Sequence, residues 1–224
     1  MQAAAVGQAL VGAATVFGTL VASPFARRRY NQWGATDDEV ISAMPGDDLV
    51  AQPKLGYTRA ITIDATPAVV WPWLVQIGQG RGGLYSYDAL ENLVGCDIHS
   101  TDQILAEHQH LDVGDIIRSG PDSFPCWMVM AVEPPHHLVL LGAGTPAEVA
   151  VPEARVEEIP PKGYTAATWQ WQLRPISDDT QTRLVVRQRL TYSPGQALIW
   201  RLVEPINFAM EQKMLKGLKA RAER

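Results

Sequence analysis

Between Tyr57 and Gly83 the chain reads YTRAITIDATPAVVWPWLVQIGQGRGG, and this stretch limits the fold more than any other. Tyr57 to Asp64 alternates with a period of two, the pattern of a half-buried strand. Thr66-Pro67 then supplies a helix cap with proline at the first helical position, ahead of the apolar run Val69-Val70-Trp71 and Trp73-Leu74-Val75. The spacing predicts a helix over 67–77, stopped by the cluster Gly78, Gly80, Gly82 and Gly83. A second short helix is expected over 87–94, with Ser86 as its cap and Gly95 as its stop.

From Gly114 the period returns to two. Segments 115–119, 126–133 and 138–141 read as strands, separated by turns at Gly120-Pro121 and Pro134-Pro135. Residues 144–164, rich in Pro and Glu, form a long connection with room for an edge strand. Segments 166–176 and 183–193 then make a hairpin around Ser177-Asp178-Asp179-Thr180. Ala167, Trp169, Trp171 and Leu173 share one face of the first strand, and Leu184, Val186, Gln188, Leu190 and Tyr192 one face of the second. Arg187 and Arg189 are expected outside. A long helix over 195–221 closes the chain. Ile199, Leu202, Val203, Ile206, Met210, Met214 and Leu218 form its apolar stripe, and Pro205 is expected to bend it. The expected class is α+β: a curved antiparallel sheet wrapped around the long C-terminal helix, with an additional N-terminal apolar helix.

Residues 3–22 carry no charge over twenty positions and precede Arg27-Arg28-Arg29. As a helix they span about 30 Å, the thickness of a bilayer core. They fit a membrane anchor, or a soluble Ala/Gly-rich helix docked on the domain or on a second copy. As an anchor, the arginines would hold the rest on the cytoplasmic side, attached to the inner face of the cell membrane. Residues 24–56 read as a connector broken by Pro24, Pro45 and Pro53, with Thr36 capping a short helix. The folded domain is expected over 57–224.

A net charge of -5 argues against nucleic acid, which demands a broad basic face. Cys96 and Cys126 suggest no disulfide framework. Gly78, Gly80 and Gly83 satisfy G-x-G-x-x-G, but a dinucleotide site needs a preceding strand, an opening helix and a parallel sheet. A helix stop and a loop gating a cavity mouth, with Arg81 at its tip, accounts for them better. Cys96, His99, His108 and His110 match no regular metal spacing, so neither a metal nor a cofactor is expected.

The segment AITIDATPAVVWPWLVQIG resembles the first strand and following helix of the START-like superfamily. The block GQGRGGLYSYDALENLVGCDIH is similar to bacterial members described as SRPBCC or polyketide cyclase/dehydrase-like proteins. The likeness covers 57–222 and implies the helix-grip fold with an interior cavity. It implies a hydrophobic small-molecule ligand, and cofactor-independent cyclisation, dehydration or isomerisation of a polyketide-like intermediate. Non-catalytic carriage or sensing of lipid-like ligands is the alternative. On that basis Tyr85, Tyr87, Asp88, Glu91 and Gln188 are the candidate catalytic group. Glu91 and Asp88 offer a carboxylate near an apolar wall, and Gln188 is the one polar residue on its face. Trp71, Arg81, Met128, Met130, Trp169, Trp171, Met210 and Met214 are the candidate ligand-binding residues.

Overall fold

The computed structural model describes residues 2–122, 124, 126–144 and 165–224. Six strands form one antiparallel sheet in the order β1-β6-β5-β4-β3-β2. They are β1 (Leu55–Ile63), β2 (Ile116–Arg118), β3 (Cys126–Glu133), β4 (His137–Gly144), β5 (Thr165–Ile176) and β6 (Gln181–Tyr192). Helix α5 (Ala197–Ala222, 26 residues) lies on the inner face of the curved sheet, giving a helix-grip fold. The edge strand expected within 144–164 lies outside the described residues.

The period-two segments become strands because each alternate residue has an apolar neighbour on the inner face. Trp171, Leu173, Leu184 and Val186 join Ile63, Leu138 and Leu140 in one core. Short helix α3 (Pro67–Val75) adds Val70, Trp71 and Leu74 to it, and α5 adds Met214, Leu215 and Leu218. The β5–β6 hairpin turns through Ser177, Asp178 and Asp179, all with positive φ, as short polar turn residues tolerate. Helix α4 (Asp88–Leu93) follows the loop after α3.

Three features depart from the sequence expectations. Helix α1 (Gln2–Asn31) runs on through Pro24, and residues 3–22 lie within it. A proline removes one helix hydrogen bond. Packing along α5 offsets that loss: Tyr30 rests on Phe208 at 5.5 Å, and Arg27 and Asn31 both bond Glu204. Among the described residues no helix is long and apolar enough to cross a membrane.

The outer face of the sheet is also covered. Helix α2 (Asp37–Ile41), opened by a capping box between Thr36 and Glu39, and the turns to Val50 pack across it. Arg187, expected outside, is only 4% exposed. Its guanidinium donates to the carbonyls of Glu39, Val40 and Ser42, to Thr58 Oγ1 and to Asp47 at 2.7 Å.

Finally, the apolar stripe of α5 does not face the core along its whole length. Leu198 is 71% exposed and Ile199 and Leu202 are also exposed, whereas Met214, Leu215, Leu218 and Ala222 are buried. At 100° per residue the two groups lie roughly half a turn apart around the helix.

Candidate functional site

Between the inner face of the sheet and the middle of α5 lies a part-open cavity of about 160 Å³. Trp127 (β3), Trp169 (β5) and Met210 and Met214 (α5) give it apolar walls. Glu91 (α4), Gln188 (β6), Asn207 and Glu211 (α5), with Ser86 and Ser119, supply polar atoms. Its tryptophans belong to a tilted aromatic row: Trp127 and Trp169 have ring centroids 5.2 Å apart, and Trp169 and Trp171 behind it 4.9 Å, with the planes inclined by 46° and 50°.

Glu91 stands on a helix of six residues whose opposite side meets α1. Gly12 makes that approach close, since a Cβ there would fall 2.6 Å from Leu90 Cδ1 and 3.0 Å from Tyr87 Cδ1. The Glu91 carboxyl is largely shielded from solvent, and its Oε2 is a buried acceptor with no protein donor. Burial, and next the neighbouring Asp88 charge, push its pKa up to about 7, against a hydrogen bond with Ser86 that lowers it. At neutral pH such a group is poised to give or take a proton.

Glu211 is held differently. Its Oε1 accepts from Tyr57 Oη at 2.6 Å and Trp169 Nε1 at 3.1 Å, and its Oε2 pairs with Arg59 Nη1 at 2.7 Å. Arg59 is fully buried, its guanidinium 3.6 Å from the Tyr57 ring centroid, with Nε donating to Tyr30 O and Nη1 to Asn207 Oδ1. One carboxylate thus sits in a buried ion pair that leaves only Arg59 Nη2 without an acceptor, while the other lines the same cavity without a cation among the described residues. Their environments give them separate roles.

Of the expected catalytic group the cavity brings together Glu91 and Gln188. The Gln188 side chain has no hydrogen-bond partner among the described residues, and it lines the cavity beside Asn207. Asp88 lies behind Glu91, its carboxylate accepting from the Ser100 amide and hydroxyl, both at 2.7 Å. Tyr85 is buried away from the cavity: its hydroxyl donates to Trp73 O and accepts from Gln76 Nε2, and burial pushes its pKa up to about 12. Tyr87 packs under α1 beside Gly12.

Of the expected ligand-binding residues, Trp169, Met210 and Met214 line the cavity. Trp171 backs Trp169 from the core, and Trp71 belongs to the α3 core. Met128 does not line it, and Met130 packs on Val50, Leu141 and Ala166 across the outer face. Arg81 is not a free tip. Its Nη2 donates to Val75 O and His108 O, while Gly78 and Gly83 exchange backbone bonds beneath it. Helix α3, not a strand, leads directly into this glycine loop and the sheet beside it is antiparallel, so it lacks the dinucleotide-binding arrangement. His99 and His110 are exposed and pair with Asp97 and Asp112.

Sequence reasoning missed Trp127, Asn207, Glu211, Ser86, Ser119 and, behind them, Arg59. A signal existed for two of these. Arg59 has the inward parity of Ile61 and Ile63, and Glu211 lies three residues before Met214 on the core side of α5.

The fold and its cavity define a helix-grip protein. No family model and no curated protein matches the sequence. Solved structures similar in fold include a hypothetical protein from Helicobacter pylori, with 14% identity and a TM-score of 0.45 over 81% of this chain and 95% of that one. A protein from Arthrobacter aurescens gives 19% and 0.40 over 82% and 91%. The Aha1 dimer from Colwellia psychrerythraea gives 16% and 0.39 over 75% and 96%.

Proposed function

We propose that this protein binds a small, mostly apolar molecule in the cavity beneath α5 and promotes a cofactor-independent proton-transfer reaction on it: isomerisation, dehydration or cyclisation. The START-like resemblance of the 57–222 region points the same way. The observation that carries the reading is the Glu91 carboxyl, buried against an apolar wall, with Oε2 unpaired and its pKa pushed up to about 7. Glu91 is the acid–base group. Gln188 orients a polar atom of the guest, and the walls hold it in a reactive shape away from bulk water. Glu91→Gln should leave guest affinity within about threefold and lower turnover by 10²- to 10⁴-fold, the range of general acid–base catalysis. Wild-type turnover should change with a midpoint near pH 7. Full activity in Glu91→Gln would end the catalytic reading and leave a carrier.

A second reading concerns attachment. Val6, Leu10, Phe17 and Val21 are exposed on α1, and Leu198, Ile199 and Leu202 on α5. With Arg27 to Arg29 close by, these faces suit adsorption to an anionic lipid surface, where apolar side chains enter the interface and cations meet headgroups. A carrier of lipid-like ligands would use such a surface, and a homodimer would bury it.

A further inference from the structure

A cleft larger than the cavity beneath α5 lies at the edge of the sheet. It encloses about 570 Å³ between the last turns of α1, the edge strand β1 and its neighbour β6. Arg27 and Arg28 line it from α1 and Arg187 and Arg189 from β6, and none of the described residues lining it is acidic. Two carboxylates pair with these four guanidiniums. Glu204 meets Arg27 at 2.9 Å, and Asp47 meets Arg187 at 2.7 Å and Arg189 at 3.6 Å. Four cations against two anions leave an excess of two positive charges here, in a chain whose net charge is -5. Arg187 and Arg189 also donate to backbone carbonyls of the outer-face turns. On α1 only the Nε atoms are engaged, Arg27 with Glu204 and Arg28 with Gln32. The Nη groups of both have no acceptor among the described residues, and both side chains are exposed.

The face of α1 that ends at this cleft is the apolar one. At 100° per residue Val6, Leu10, Phe17, Val21 and Arg28 fall within about 60° of one another around the helix, whereas Arg29 is turned about 100° away from Arg28. We propose that the cleft takes the phosphate of an anionic lipid headgroup while the stripe lies in the interface of the same membrane. This rests on the reading of α1 as a lipid-adsorbing surface and adds a specific site to it. The Arg27 and Arg28 forks donate to the phosphate oxygens, a match of shape and charge that a diffuse surface charge lacks. Arg187 and Arg189, tied to the turns, hold a fixed positive field behind them.

The test is flotation of the full chain with phosphatidylcholine vesicles containing phosphatidic acid, beside calorimetry with soluble glycerol phosphate. Wild type should float with the vesicles. Arg29→Ala removes a neighbouring charge that does not line the cleft, and should weaken binding about fivefold or less, the ordinary worth of one basic residue near an anionic surface. Arg28→Ala should weaken it about thirtyfold or more, because hydrogen bonds to a charged group go as well. Both positions are exposed, so both variants should melt with wild type. Equal losses in the two variants would overturn the headgroup site and leave general adsorption standing. Binding of glycerol phosphate without vesicle binding would overturn the lipid source and leave a cleft for a soluble phosphate. Wild type that binds neither would remove this inference and the adsorption reading together.

Discussion

Glu91 carries a cost that can be measured without knowing the substrate. Its carboxyl titrates near 7 in the folded protein against an ordinary value of 4.5. Between those two values the native state holds a proton that the unfolded chain has released. Stability from this group is therefore fully present below pH 4.5 and is lost as the pH rises through 7. A shift of about 2.5 units corresponds to a change on the order of 3 kcal/mol. Gln at position 91 cannot ionise, so the difference between wild type and Glu91→Gln isolates this one group from the other carboxyls and the histidines. Urea unfolding from pH 4 to 9 should show the variant gaining on wild type above pH 5, with the gap levelling off above about pH 8. Parallel stability curves would mean that Glu91 is solvated and ordinary. The sequence exposed Glu91 as a carboxylate on a short helix near an apolar wall. It did not expose the orphaned oxygen, because that depends on Trp127 and Met210, which reach the same space from β3 and α5.

Among the elements, the tie between α5 and the sheet is the ion pair of Arg59 with Glu211, joined by Tyr57 and Trp169. Both charges are buried, so removing one leaves the other away from water without its countercharge. Such single removals cost about 3–5 kcal/mol, while replacing the pair by apolar groups is often near neutral. Arg59→Met should accordingly destabilise by about that amount in urea unfolding, and Arg59→Met with Glu211→Leu should recover much of the loss. A double variant no more stable than the single would mean that the pair itself holds α5 in place. The strands and α5 were legible because period two and period 3.6 are local properties of the chain. This tie was not, since its partners lie 152 residues apart and an inward arginine means nothing until its carboxylate is placed. Pro24 misled for the same reason. Proline's cost is local, whereas the packing of α1 on Phe208 and Glu204 that offsets it is not.

For the molecule as a whole, helix α1, which packs on α5 and α4, also presents an apolar surface away from them. Val6, Leu10, Phe17 and Val21 follow spacings of four, seven and four, so they fall on one side of α1. Exposed apolar stripes of this kind mark interaction surfaces more often than isolated exposed residues do. Nothing in folding requires this stripe, since Phe17 is 69% exposed and a polar side chain there should shift stability by no more than about 0.5 kcal/mol. Phe17→Glu is therefore a clean probe of attachment: melting should be unchanged while association is lost. If the stripe adsorbs to lipid, wild type should co-sediment with phosphatidylserine-containing vesicles, more weakly as salt screens Arg28 and Arg29, and Phe17→Glu should remain in the supernatant. If it joins two copies, sedimentation velocity without lipid should give a dimer for wild type and a monomer for Phe17→Glu. Wild type that stays monomeric and leaves vesicles untouched would remove attachment from the account and leave the cavity beneath α5 to carry the function alone.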